Sequence, residues 1–298
     1  MSESGRYRAR IASRRAAAGL VLAALMLVAS TPASAAPSDK SLCRRADFRV
    51  VIDVGHTAEV PGALSARGIP EYEFNLSLAR WIERALIAAG FKRAMRLITN
   101  GRAREGLRER VADANRMRAD LFLSIHHDSV PDRFLETWEH EGKELNFSDR
   151  FKGHSIFVSN AHRERTASLL FAHLLGLRLK ASGLRYTPHY TRAEMGRRRR
   201  QLVDADAGVY RYDRLVVLRA TRMPAVLFEA GSIINRDEEL KVDTPERKAL
   251  VAAAVTHAVE QFCAARTEQA IARRKRGRPT RAARPGGLVR PAGAASIR

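Results

Sequence analysis

The 298-residue sequence has only two cysteines, few aromatic residues and no apolar run long enough to cross a membrane. Its longest apolar run, Ala16–Ala29, has 14 residues, whereas a membrane-spanning helix requires about 20. Five arginines precede this run, and the small residues Ala33-Ser34-Ala35 follow it, as signal peptidase requires. We therefore expect residues 1–35 to be a cleaved signal peptide and the mature protein to act in the periplasm.

Acidic residues are scarce relative to basic ones. The sequence has 32 Asp and Glu and 53 Lys and Arg, which gives a net charge of +21. The signal segment contributes +4 and the tail, residues 266–298, contributes +9, so the middle of the chain keeps only +8. The tail is rich in Ala, Pro and Gly, which predicts disorder. It also lacks aromatic residues that could stack on bases, so we expect no nucleic-acid partner. Contact of the tail with anionic envelope components is the alternative.

The two cysteines, Cys43 and Cys263, lie near the two ends of the middle region. In an oxidising periplasm they could form one disulfide that closes nearly the whole domain. Two unpaired cysteines in the core are the other reading, since sequence alone gives no geometry.

Short β-branched runs alternate with amphipathic stretches from Phe48 to Ala265. This alternation predicts an α/β fold in which helices sandwich a mostly parallel sheet, as a single domain over residues 48–265 after a linker at 36–47. The predicted strands are Phe48–Val54, Met95–Thr99, Asp120–His126, His154–Ser159, Leu215–Arg219 and Ala225–Phe228. The predicted helices are Asn75–Gly90, Leu107–Arg118, Thr166–Ser182 and Thr244–Ala265.

Two irregular segments, Val130–Gly153 and Tyr186–Tyr212, are longer than ordinary connections between a strand and a helix. We expect both to be insertions that face the substrate or cover the site. The second contains the run Arg197–Arg200, which is either a solvated loop or a contact for anionic groups.

Side chains that bind metals occur where predicted strands end. His56 follows the first strand, His126 ends the third, and Glu229 ends the last. In open α/β sheets, sites form at the carboxyl ends of strands, so residues far apart in sequence can converge there.

Four ordered blocks of this region resemble the zinc N-acetylmuramoyl-L-alanine amidases of the amidase-3 type. The resemblance spans nearly the whole mature domain. Its blocks are VIDVGH at 51–56, which resembles D-x-G-H; EYEFNL at 71–76, which resembles E-x-x-x-N-L; LSIHHD at 123–128, which resembles S-I-H-x-N; and MPAVLFEAG at 223–231 with Asn235, which resembles M-P-A-x-L-x-E-x-G-F-x-x-N.

The resemblance implies that His56, Glu71 and His126 bind one Zn²⁺ per chain and that Glu229 is the catalytic carboxylate. It further implies hydrolysis of the amide between N-acetylmuramic acid and L-alanine in peptidoglycan. Two imidazoles and one carboxylate match the three protein ligands of a catalytic zinc site.

Two of these positions have a neighbouring alternative, Glu73 for Glu71 and His127 for His126. Strand alternation points the two histidines to opposite sides, so only one can face the site. The family pattern favours Glu71 and His126. Asp128 replaces the Asn of that pattern, and Ser232-Ile233 replaces its Phe; these differences bear on substrate fit rather than on metal binding.

A non-catalytic protein that binds peptidoglycan or the envelope through the same domain is the alternative function. Such a protein would ordinarily lack a ligand or the carboxylate, and none is missing here. Because a free amidase endangers the wall, we also expect an activator protein that moves one of the two long segments away from the cleft. Related division amidases are similar in being held inactive by an inserted helix.

Overall fold

The structure, a computed structural model, describes residues 42–101 and 103–276. The predicted signal peptide, the first half of the linker and residues 277–298 of the tail therefore lie outside the described residues. Among the residues that are described, no helix combines the length and the apolar character needed to cross a bilayer.

The central element is a seven-stranded sheet in the order β2-β1-β3-β9-β6-β8-β7. Four of its six neighbouring pairs are parallel, and the pairs β9–β6 and β8–β7 are antiparallel. A separate hairpin, β4–β5, forms a second sheet. The strands are β1 (Val50–Val54), β2 (Met95–Leu97), β3 (Leu121–Asp128), β4 (Glu136–His140), β5 (Lys143–Phe147), β6 (Ser155–Val158), β7 (Gln201–Asp204), β8 (Val209–Arg211) and β9 (Ala225–Ser232).

Helices cover both faces of this sheet, as the sequence predicts for an α/β sandwich. Helices α1, α3 and α6 bury their apolar sides on one face, against residues such as Ile52, Ile125 and Phe228. Helices α2 and α4 and the segment around Tyr190 and Met195 cover the other face. The helices are α1 (Glu71–Ala88), α2 (Ala103–Met117), α3 (Arg165–Ala181), α4 (Val216–Ala220), α5 (Arg236–Val242) and α6 (Pro245–Arg276).

Three predictions are corrected by the structure. The segment Leu215–Arg219, predicted as a strand, lies in α4, because a short apolar run does not distinguish a strand from a buried helical turn. The two long segments are not irregular: Val130–Gly153 contains the β4–β5 hairpin, and Tyr186–Tyr212 supplies β8 and the edge strand β7. The tail is helical as far as Arg276, since no Gly or Pro interrupts α6 before Gly277.

Helix α1 begins at Glu71, four residues before its predicted start at Asn75. Pro70, with φ −63°, directly precedes the helix, and Glu71 and Glu73 place negative charge in its first turn, where the helix dipole favours it. The difference matters for function, because it fixes Glu71 on a rigid helix.

Cys43 and Cys263 form a disulfide, with their Cα atoms 5.1 Å apart. Both residues are buried in the core cluster beneath α1, α3 and α6. The bond joins the segment before β1 to the last helix across 220 residues of sequence, as the first of the two sequence readings proposed.

Removing this bond should destabilise the domain. Because the closed loop is long, Cys43→Ser/Cys263→Ser is expected to lower the free energy of unfolding by about 3–5 kcal/mol. Chemical denaturation of the double variant and of the parent, each with and without reductant, measures the difference. Equal unfolding midpoints for the oxidised parent and the double variant would contradict the expectation.

Candidate metal centre

The first histidine of the candidate site follows β1 at a strained backbone position. His56 has φ +65°, a conformation in which non-glycine residues are uncommon. Arg110, itself buried, donates to the carbonyl oxygens of Val54 and His56 and so restrains the conformation of this turn. Strain of this kind persists only where surrounding contacts hold it, and it concentrates at functional sites.

The acid of the site, Glu71, comes from the first turn of α1 and is only 5% exposed. Its Oε2 lies 3.0 Å from His56 Nε2, and its Oε1 lies 3.0 Å from His126 Nδ1. Burial alone would raise the pKa of Glu71, but the hydrogen bonds and charges of His126 and His56 outweigh it and hold the pKa well below its usual range. The carboxylate is therefore ionised between two imidazoles.

The second histidine, His126, lies in β3, which is the parallel neighbour of β1. The rings of His56 and His126 meet edge to face, with centroids 5.0 Å apart. One donor atom from each of His56, Glu71 and His126 lies within 4.8 Å of the others. Parallel pairing thus brings together donors that are 70 residues apart in sequence.

Two glycines leave room for these three side chains. A Cβ at Gly62 would lie 2.6 Å from Glu71 Oε2 and 2.8 Å from the ring of His56. A Cβ at Gly55 would lie 2.4 Å from Nε2 of His126. Both contacts are closer than any side chain tolerates, so the donors can converge only because these positions carry no side chain.

The donor set fits a divalent transition metal. Imidazole nitrogens and a carboxylate are the ligands of catalytic zinc, which leaves a further position for water or substrate. The side chain of His56 remains 29% exposed, so the cluster is accessible from solvent. These three residues can hold one metal ion.

Glu229 lies beside this cluster in β9. It pairs in register with His126 on one side and with Ser155 of β6 on the other. Its Oε2 is buried and has no hydrogen-bond partner among the described residues. Burial, followed by the charges of Asp128 and Glu71, raises the pKa of Glu229 well above its usual range, against the opposing charge of Arg198.

A buried polar cluster behind Glu229 is absent from the sequence-based site. Tyr190 Oη donates to the carboxylate of Asp128 at 2.8 Å, and Arg198 Nη2 lies 3.4 Å from the same Oδ1. His189 Nε2 lies 3.6 Å from the other oxygen. Burial raises the pKa of Asp128 to about 6, against the opposing effects of Arg198 and Tyr190. The only indication of this cluster in the sequence is that Asp128 replaces the Asn of the family pattern.

Asp53 supports the turn at His56 through another residue, Arg110. Its Oδ1 accepts from Arg110 Nη1 at 2.6 Å, and its Oδ2 accepts from Ser124 Oγ at 2.6 Å. Arg110 in turn holds the His56 carbonyl. A buried ion pair therefore links the middle of β1 to the turn that carries the ligand.

The two alternative residues lie outside the cluster. Glu73 is exposed on the outer side of α1. His127 points to the opposite face from His126, where its Nδ1 lies 2.8 Å from Asn75 Oδ1, and burial lowers its pKa to about 4. Asn75 also donates to Glu71 Oε1 at 3.1 Å. Asn75 therefore connects His127 to Glu71 and restrains the position of the carboxylate.

A cavity of about 200 Å³ opens from the metal centre over the sheet. His56 and His126 are among its lining residues, and apolar side chains form most of its walls. Those walls come from α2, from the start of α4 and from β9: Leu107, Leu215, Val217 and Leu227.

Fold and site together define an α/β protein in which two histidines and a glutamate that could hold a metal ion meet at the carboxyl edge of a sheet. Residues 50–261 match the family Amidase_3, N-acetylmuramoyl-L-alanine amidase. The chain belongs to this family.

Several relatives share the fold and part of the sequence. AmiC of Neisseria meningitidis, an N-acetylmuramoyl-L-alanine amidase, is 24% identical over 72% of this chain and 52% of its own length. The chain spans about half the length of the AmiC and AmiB proteins that it matches. The catalytic domain of CwlV from Bacillus (Paenibacillus) polymyxa is 26% identical, with a TM-score of 0.51 over 72% of this chain and 97% of that domain. Ami1 of Mycobacterium smegmatis is 20% identical, with a TM-score of 0.55 over 74% and 98%.

Filling the space at Gly62 should impair metal binding without unfolding the protein. Gly62→Ala places a methyl group against Glu71 and His56, and we expect at least a tenfold loss of zinc affinity in a competition titration with a chromophoric chelator. Gly68→Ala is the matched control: its φ of +80° resembles the +84° of Gly62, but its Cβ would meet only Leu145, at 3.4 Å. Equal zinc affinities in the two variants would contradict this role of Gly62.

Proposed function

We propose that the protein is a zinc-dependent hydrolase of the amide bond between N-acetylmuramic acid and L-alanine in peptidoglycan. The observation that carries this proposal is the convergence of His56, Glu71 and His126 on one point beside Glu229, in a chain of this amidase family. Export to the periplasm, where that substrate lies, is part of the same proposal.

His56, Glu71 and His126 would hold the ion. A zinc ion, when bound, lowers the pKa of a water molecule toward ~7 and polarises the carbonyl that is attacked. Glu71 is suited to this set because it is ionised and buried, so that its charge offsets that of the cation at close range. The bonds from Arg110 and Asn75 keep the ligands in place without an ion.

Glu229 is proposed to move the proton. The charge of a bound cation would oppose the burial that raises the pKa of Glu229 and favour its ionised form. The carboxylate would then accept a proton from the attacking water and return it to the nitrogen of L-alanine as the carbon–nitrogen bond breaks. The products are a lactyl carboxylate on the sugar and a peptide with a free amine. An unpartnered buried oxygen supports this role, because no internal hydrogen bond competes for it.

The cavity beside the metal centre suits one arm of such a substrate. Its apolar walls include Leu215 and Leu227, and the exposed part of the His56 side chain faces solvent. A non-catalytic envelope-binding role would leave the convergence of three metal ligands and a nearby carboxylate unexplained.

Control by an activator stays a prediction. CwlD of Clostridioides difficile, which shares the fold at 16% identity, has been solved in complex with the lipoprotein GerS. Of the two long segments of this chain, Tyr186–Tyr212 is built into the domain, since it supplies β7 and β8 of the central sheet and Arg198 beside Asp128. The hairpin β4–β5 is therefore the better candidate for a part that a partner moves.

Replacing Glu229 should separate chemistry from metal binding. Glu229→Gln is expected to lower the hydrolysis rate by at least about 10²-fold while one zinc per chain is retained, because the carboxylate moves the proton and does not bind the ion. His56→Ala should lose both activity and metal. Mass spectrometry of muropeptides, with and without a chelator, identifies the bond that is cut, and elemental analysis gives the zinc content.

Glu73→Gln is the control, since this carboxylate is exposed and lies two residues from Glu71. It should leave rate and zinc content unchanged. Full hydrolysis by Glu229→Gln, or cleavage of a different bond by the parent, would contradict the proposal.

A further inference from the structure

A second cavity, of about 790 Å³, lies where β7 begins and β8 ends. It is lined mainly by arginine, together with Tyr212 and Asp213. Its five guanidinium groups come from the run before β7 and from the segment around the end of β8: Arg197, Arg199, Arg200, Arg211 and Arg214.

The positive charge of this cavity is largely unbalanced. Asp213 is the one acid in its lining, and its Oδ2 already accepts from Arg211 at 2.5 Å. Within residues 42–101 and 103–276, no carboxylate forms an ion pair with the other four arginines. Guanidinium groups held together repel one another unless an anion lies between them, so the arrangement is typical of an anion-binding site.

Part of the arginine cavity is held rigidly. The guanidinium carbon of Arg200 lies 3.9 Å from the ring centroid of Tyr212, and Nη1 donates to the carbonyl oxygens of Arg197 and Arg199. Arg199 Nε donates to the carbonyl of Thr191 at 3.0 Å. Groups that are fixed before binding lose less conformational entropy when a ligand arrives.

The arginine cavity and the cavity at the candidate metal centre are lined by adjacent residues of the chain. Arg214 lines the arginine cavity, and its neighbour Leu215 lines the cavity that contains His56 and His126. Glu229 of β9 pairs with Ser155 of β6, and Arg211 of β8 pairs with Val158 of β6. Arg211 is therefore two strands away from Glu229 across the sheet and three residues away along the strand direction. These offsets put the backbone of Arg211 about 14 Å from that of Glu229, toward the opposite edge of the sheet.

That distance fits an extended peptide of about four residues, at roughly 3.3–3.6 Å per residue. We propose that the arginine cavity binds the carboxylate groups of the substrate's stem peptide, three to four residues beyond the amide that is cut. The inference rests on the proposed function and names what the enzyme recognises besides the scissile bond. Arginine suits this ligand because its planar guanidinium donates two parallel hydrogen bonds to one carboxylate.

The test compares two soluble muropeptides that carry the same tetrapeptide stem, one with free carboxylates on its third and fourth residues and one with both amidated. The parent should have a KM about fivefold or more lower for the free acid. Arg197→Gln/Arg214→Gln, which removes two exposed charges, should raise the KM for the free acid about fivefold. Its kcat, and its KM for the amidated substrate, should stay within twofold of the parent values.

The control is Arg84→Gln/Arg93→Gln, which removes the same charge from exposed positions at α1 and after it. It should leave both KM values unchanged. Equal KM values for the two substrates in the parent, or equal effects of the two double variants, would overturn the inference. So would loss of binding to phosphatidylglycerol vesicles in the cavity variant without any preference for the free-acid peptide, because the cavity would then recognise a phosphate surface.

Calorimetric binding of the released tetrapeptide to zinc-loaded protein separates this inference from the proposed reaction. If the parent cleaves neither muropeptide, the proposed function fails. The inference then still stands if the free-acid peptide binds the parent at least fivefold more tightly than its amide and Arg197→Gln/Arg214→Gln removes the difference. It falls if that difference is absent.

Discussion

The candidate site depends on one buried contact, the carboxylate of Glu71 between the imidazoles of His56 and His126. An ionised acid that is 5% exposed is costly unless it is paired and hydrogen-bonded, and both oxygens of Glu71 have such partners. The contact requires α1 to begin directly after Pro70, Gly62 to lack a side chain and β1 to lie beside β3. A change in any of these would separate the three donors.

A reversal of strand direction shapes the other half of the site. Strand β9 is the last of four parallel neighbours, and β6 beside it runs the opposite way. Strand β6 therefore begins beside Glu229 and ends toward the opposite edge of the sheet, and the bridge between His154 and Tyr186 marks where a later segment approaches the Glu229 edge again. The run through Tyr190 and Arg198 uses this approach to pair with Asp128, while the arginines on either side of Arg198 line a separate cavity. One segment thus contributes to the surroundings of Glu229 and to a basic surface.

Much of the fold follows from local pattern. The alternation of β-branched runs with amphipathic stretches predicts the α/β sandwich, and residues that end strands predict the edge at which donors meet, because parallel strands share a carboxyl edge. Choosing Glu71 over Glu73 rested on family resemblance. The structure adds a physical reason, since only the first of these side chains turns inward from the first helical turn.

What the sequence did not predict depends on tertiary contacts. Val216 and Val217 favour a strand by composition, but they pack as a helical turn under α2. Strands β7 and β8 are short and flanked by arginines, so they carry no clear alternation. Arg110 and Tyr190 reach Asp53 and Asp128 across 57 and 62 residues, and nothing local marks such partners.

The most direct test of the metal centre is a crystal structure of the zinc-loaded protein with anomalous data at the zinc edge. The account predicts one peak per chain, about 2.0–2.2 Å from Nε2 of His56, Nδ1 of His126 and a carboxylate oxygen of Glu71, with Glu229 beside it and not bound to it. A peak at other residues, or none among these three side chains, would contradict it.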